Sequence, residues 1–223
     1  MPLMIPVGDD SVSAIWQSPS APRAAYVLAH GAGAGMAHPF MQSVAAGLAT
    51  RGVASLRYQF LYMERRSKRP DPPAVAQAVV RAAVEVARRQ APGLPLIAGG
   101  KSFGGRMTSQ AQAASPLPNV IGLAFLGFPL HAAGRPSDAR ASHLFDVRVP
   151  MLFLQGTRDA LAALPVLEPV IERLGPAATL KLFADADHSF HVTARSGRTD
   201  EQVRGEMLDT LVGWIDRVIA AAA

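Results

Sequence analysis

What most constrains the fold of this chain is its regular alternation of short apolar runs with longer amphipathic stretches. The runs lie at 24–29, 53–58, 94–98, 119–128, 150–155 and 179–183. Strands that are apolar on both faces are buried on both faces, which is the pattern of a mostly parallel sheet covered by helices. Helical stretches fall between them at 40–50, 75–90, 105–114, 165–174 and 201–220. Val75, Val79, Ala82 and Val86, and later Leu208, Leu211, Ile215 and Val218, recur at helical spacing. Pro39 suits a first helical turn, Gly52 and Gly175-Pro176 suit helix ends, and Thr199 suits an N-cap. A looser alternation at 11–17 predicts a further strand at a sheet edge. Segment 59–73 reads as a polar, basic loop, and 129–149 as irregular chain with one short helix near 142–145. No repeat or compositional break interrupts the series, so a single α/β domain over 1–223 is expected.

Composition narrows the function classes. A chain of 223 residues has room for one such domain and not for two. It contains no cysteine, which excludes a disulfide framework, a thiolate zinc site and a cysteine nucleophile. The longest apolar run, 120–130, is too short to span a bilayer. The N-terminus lacks the basic segment and long apolar core of a signal peptide, so a cytoplasmic location and no membrane partner are expected. The net charge of +5 is carried largely by arginine. It marks either an anionic partner or a solvated basic surface.

The chemistry is concentrated at Gly100-Lys101-Ser102-Phe103-Gly104. This G-x-S-x-G stands between an apolar run and a helical stretch. A strand, a tight turn bearing serine and then a helix form the context of a nucleophile elbow. Glycines two residues to either side let strand and helix pack closely around a strained serine. The Phe103 N–H is aimed where a substrate oxyanion would form. A phosphate-binding P-loop would also contain Gly-Lys-Ser, but it requires a glycine where this chain has Pro95.

Asp159 and His188 each follow a later apolar run, giving the order Ser, Asp, His at successive strand ends. In that arrangement His188 takes the Ser102 proton, and Asp159 fixes the imidazole tautomer. Asp185 and Asp187 compete for the acid's role. Asp187 adjoins the histidine in an extended segment and points to the opposite side, and Asp185 ends a strand where it can turn to solvent, so Asp159 is expected. Singly, Asp159 also reads as a turn residue and His188 as a core or capping histidine.

The glycine-rich stretch His30-Gly31-Ala32-Gly33-Ala34-Gly35 follows another strand and is placed to supply a second oxyanion donor. The Ala32 N–H is expected in that role, with Gly33 next. A dinucleotide-binding turn is the rival there, with Arg57 meeting a 2′-phosphate of NADP. Against it, the third glycine of that motif is replaced by Met36, and the helix begins only near Pro39.

Together these motifs resemble the α/β-hydrolase superfamily. The closest likeness is to its small, lidless, dienelactone-hydrolase-like group and, within that, a testis-expressed-type branch of small hydrolase-like proteins. The resemblance rests on His30 to Gly35 with His38-Pro39-Phe40, Gly99 to Arg106, Phe128-Pro129-Leu130-His131, Leu154 to Asp159, and Asp187-His188. It implies a seven-stranded sheet ordered 2-4-3-5-6-7-8 in the family's numbering, helices on both faces and no cap domain. The family's first strand would be absent or merged into the N-terminal segment. Activity would be that of a serine hydrolase passing a small or flexible ester through an acyl-enzyme, with no cofactor and no metal. Dienelactone hydrolase itself uses cysteine where Ser102 stands here, so its lactone substrate does not carry over. A pseudo-hydrolase serving as a protein-interaction module is the second reading.

Gly33, His38, Arg57, Tyr62 and Lys101 are the candidate substrate-binding residues. Arg57, Tyr62, Arg65, Arg66, Lys68 and Arg69 make either a basic rim favouring an acidic ester or a solvated loop paired with Glu64 and Asp71. Tyr58, Phe60 and Tyr62 lie among these charges, yet no nucleic-acid motif accompanies them, and no nucleic-acid partner is expected. With only 129–149 available where relatives insert lids, the site should be open.

Overall fold

The structure, a computed structural model, describes residues 1–222. The strands are β1 (Pro2–Val7), β2 (Asp10–Gln17), β3 (Ala24–Ala29), β4 (Val53–Tyr58), β5 (Leu96–Lys101), β6 (Val120–Leu126), β7 (Met151–Gly156) and β8 (Ala178–Phe183). The helices are α1 (Pro39–Ala49), α2 (Leu61–Glu64), α3 (Pro73–Gln90), α4 (Phe103–Ala114), α5 (Leu164–Leu174) and α6 (Asp200–Ala222). The strands form one sheet ordered β1-β2-β4-β3-β5-β6-β7-β8. From β4 onward neighbouring strands are parallel, while β1–β2 and β2–β4 are antiparallel.

The α/β class and its helix-covered sheet are as expected, but the sheet has eight strands and not seven. The missing first strand is β1, paired in register with β2 from Pro2↔Ile15 to Val7↔Asp10. It carries Pro2 and Pro6, which only an edge strand tolerates, since its outward N–H groups have no ladder to join. Consequently β2, expected at an edge, is interior.

The apolar runs bury both faces of the sheet. On one face Val79, Val80 and Ala83 of α3, Met107 of α4 and Leu167 of α5 pack with Leu56, Phe125 and Phe153. On the other, Met41 and Val44 of α1 and Leu211, Trp214 and Ile215 of α6 pack with Tyr26, Leu28 and Leu152. The N-terminus of α6 has reciprocal bonds between Thr199 and Gln202, a capping box.

Segment 59–73 departs from the expected polar loop. Phe60, Leu61 and Tyr62 are buried, and α2 forms over them. The chain at 129–149 holds a 3-10 helix over Ala139–Asp146 and no cap domain. Among the described residues no helix is long and apolar enough to cross a membrane. Because β3, β5, β7 and β8 run parallel, the loops after them gather at one sheet edge.

Candidate active site

Strand β5 delivers Ser102 directly into the first turn of α4. The serine backbone has φ 49° and ψ −117°, a conformation that L-residues rarely adopt. The surrounding glycines permit it. A Cβ on Gly104 would stand 2.5 Å from the His30 carbonyl oxygen, and one on Gly100 would overlap the Ala29 backbone. The elbow thus exists because β3 lies against it where no side chain can fit. The hydroxyl is lifted clear of the sheet, and Phe103 becomes the first residue of the helix.

Loops after β7 and β8 bring two further groups to this serine. His188 Nε2 lies 2.8 Å from Ser102 Oγ, and His188 Nδ1 lies 2.6 Å from Asp159 Oδ2. The Asp159 side chain is wholly buried, whereas the His188 ring is partly open to solvent. The Leu161 N–H donates to Asp159 Oδ1 at 2.8 Å, and the Gln155 amide donates to Oδ2. Gln155 is in turn held by the Phe128 N–H, 2.9 Å from its Oε1. A buried carboxylate with these donors is held as an acceptor pointed at the imidazole.

The competing acids serve the loop instead. Asp187 Oδ1 accepts the N–H groups of Ser189 at 2.7 Å and His191 at 3.0 Å, an Asx-type turn behind His188. Asp185 sits at φ 58° with its N–H donating to Thr157 Oγ1.

The glycine-rich loop is fixed by two side chains. His30 Nδ1 lies 2.7 Å from the Gly31 carbonyl oxygen, and the Phe60 N–H donates to His30 Nε2 at 3.2 Å. The ring is therefore the Nδ1–H tautomer, and burial pushes its pKa down to about 4. The Gly31 oxygen also accepts the Ala34 N–H at 3.2 Å. With that oxygen held toward His30, the Ala32 N–H of the same planar peptide points the other way. Gly31 and Ala32 both line the cleft beside Ser102, and the Ala32 N–H has no partner among the described residues. The Gly33 N–H, the next donor expected from sequence, is already bonded to the Tyr62 hydroxyl at 2.9 Å.

The cleft has a volume of about 440 Å³. Ser102, His188, Ala32, Lys101 and His38 are in its wall, together with the apolar Phe40, Met41 and Leu161. His38 also caps α1, its Nδ1 accepting the Phe40 N–H at 3.2 Å. Gly33, Tyr62 and Arg57 are not brought into that wall. Tyr62 supports the loop from behind. Arg57 is buried and turned inward, donating to the Met36 carbonyl at 3.2 Å. An arginine so placed presents no fork to a 2′-phosphate, and with Gly33 occupied the glycine turn has little to offer a pyrophosphate. His30 and Gln155 hold the glycine-rich loop and the Asp159 carboxylate by contacts that sequence reasoning did not assign. Their one signal was a polar residue closing an otherwise apolar strand.

Residues 22–216 match the family described as the alpha/beta hydrolase domain. Among solved structures, the chain is similar to dienelactone hydrolase from Anabaena variabilis, with 21% identity and a TM-score of 0.78 over 97% of this chain and 96% of that one. An α/β serine hydrolase without a lid from Xanthomonas campestris is 22% identical, with a TM-score of 0.75 over 96% and 94%. Est1E from Butyrivibrio proteoclasticus, with ferulic acid bound, is 14% identical, with a TM-score of 0.72 over 94% and 99%. At these identities the likeness is one of fold.

Proposed function

The chain belongs to the alpha/beta hydrolase domain family, and on that premise we propose that it is a serine carboxylesterase acting through an acyl-enzyme. The observation that carries this reading is the unbroken hydrogen-bonded series Ser102 Oγ, His188 and Asp159, with spacings of 2.8 and 2.6 Å, opening onto a cleft. Ser102 Oγ attacks the ester carbonyl while its proton passes to His188 Nε2. Asp159 stabilises the imidazolium through Nδ1–H. The carbonyl oxygen, now negative, is met by the N–H groups of Phe103 and Ala32, the first of which also begins α4 and carries the helix's positive end. Collapse of this intermediate expels the alcohol, which takes the proton from His188. Water then gives a proton to His188 and attacks the acyl-Ser102 ester, releasing the acid and restoring the serine.

The substrate is a small or flexible ester, as the modest and partly apolar cleft accommodates an acyl chain without a cap to enclose it. No step in this sequence calls for a cofactor. The test is a panel of 4-nitrophenyl esters of graded chain length. Wild type hydrolyses the short members, and Ser102→Ala, with unchanged circular dichroism, loses that activity by several orders of magnitude. Equal turnover by the two proteins would discard the reading.

A further inference from the structure

One cleft residue has no part in the acyl-transfer steps. Lys101 precedes the nucleophile, and its stem passes Gly31 so closely that a Cβ there would lie 3.4 Å from Lys101 Cγ. Its ammonium ends beside His188, donating to the His188 carbonyl oxygen. The Phe190 and Phe40 ring centroids lie 5.4 and 5.9 Å from Nζ, and the two rings are stacked within 6° of parallel. Such faces attract a cation without neutralising it. No carboxylate lies within 4 Å of Nζ among the described residues. An ammonium has three donors, and the protein fixes one. The ammonium is part-buried, and Asp159 and Asp187 act on it only from beyond 4 Å, so a ligand anion arriving in the cleft would gain a direct charge-assisted bond. The cleft wall contains no aspartate or glutamate to compete for it. Phe40, Met41 and Leu161 add apolar surface to the same wall, beside the polar His38 and Ser189.

Resting on the hydrolase reading above, we infer that Lys101 is a specificity-determining residue, selecting esters whose short hydrocarbon portion ends in a carboxylate. One unpaired positive charge matches one negative charge, and the apolar walls match the spacer. The ammonium binds the remote carboxylate while Ser102 attacks the ester at the other end.

The probes are the monomethyl ester of glutaric acid and the methyl ester of glutaramic acid, which differ only in a terminal carboxylate or carboxamide. Wild type should favour the carboxylate in kcat/KM by about ten- to a hundredfold, the range of one charge-assisted bond. Lys101→Gln keeps a donor for the His188 carbonyl and removes the charge, so the ratio should fall close to one. A second measurement covers a variant that fails to fold. Burial pushes the Lys101 pKa down to about 8, so the wild-type ratio should decline as pH rises from 7 through 9. Asp159, Asp187 and His188 near the ammonium, and His38 in the same wall, are the other ionisable groups around the cleft, and the comparison of two esters at each pH cancels what they do to both alike. A wild type that treats the two equally, a Gln variant that slows both by one factor, or a ratio flat with pH overturns the inference. Hydrolysis of neither ester by a wild type that cleaves 4-nitrophenyl esters removes this inference alone, and a folded wild type that cleaves none of them removes the hydrolase reading with it. Hydrolysis of both without preference removes this inference alone.

Discussion

At the scale of single residues, Asp159 and Asp187 show how two nearby carboxylates take different work. Both lie on loops after parallel strands, and Asp187 is adjacent to His188 in sequence. Asp187 is committed to the backbone N–H groups of Ser189 and His191, while Asp159 reaches the imidazole from the neighbouring strand end. Asp159→Asn should lower kcat by about 10⁴, since an amide at that place favours the wrong imidazole tautomer. Asp187→Asn keeps an acceptor oxygen for the turn and should cost far less. Steady-state kinetics on the two variants check the assignment, and the reverse order would transfer the acid's role to Asp187. That Ser102, Asp159 and His188 would meet was legible because each follows an apolar run, in that order, on the loops at one sheet edge. Gln155 was not, because a polar residue at a strand end has no sequence mark that tells it from a surface glutamine. Its value lies in bridging the Phe128 N–H and the Asp159 carboxylate, residues far from one another along the chain.

At the scale of elements, the loop after β3 and the turn after β4 act as one part. Tyr62 was legible as a candidate, yet its place was not. Four nearby basic residues, Arg65, Arg66, Lys68 and Arg69, suggested a solvated loop, while Phe60-Leu61-Tyr62 folds inward. Its two rings stack on one another and meet Phe103 edge-on, an arrangement set by tertiary packing and not by local polarity. Tyr62→Phe keeps that packing and removes the oxygen that holds the Gly33 N–H. Loss of that partner should destabilise the protein by about 1–2 kcal/mol in a denaturant melt. It should also lower kcat with little change in KM, because the loop carries Ala32, the proposed donor to the oxyanion. A variant with wild-type kcat would detach Tyr62 from that loop's geometry. The β1–β2 hairpin was half legible, for the prolines that hid β1 are tolerated only because it lies at the edge.

At the scale of the whole molecule, the fold holds two histidines neutral, His30 at the end of β3 and the half-buried His143 on the 3-10 helix. His30 is wholly buried with its pKa lowered to about 4, and His143 is lowered to about 4 mainly by burial and next by the Arg106 charge. In the unfolded chain both take up protons near pH 6.5, so below that pH the unfolded state binds more protons than the native one. Their contribution to stability is complete above about pH 6.5 and is lost progressively toward pH 4. For His30 alone the full effect is on the order of 3 kcal/mol. The melting temperature should therefore fall between pH 7 and pH 5, and His30→Asn, though less stable at pH 7, should show a shallower fall. A melting temperature unchanged over that interval in the wild type would contradict the buried neutral state.

The central claim is that Ser102 is the nucleophile of an acyl-transfer enzyme. A fluorophosphonate reacts with a serine only when a neighbouring base draws off its proton and donors receive the developing charge, so it reports on both halves of the site together. Intact-mass spectrometry of the treated wild type should show one adduct per chain, with peptide mapping placing it on Ser102 and Ser102→Ala remaining unmodified. A folded wild type that stays unlabelled, or an adduct that persists in Ser102→Ala, would contradict the account.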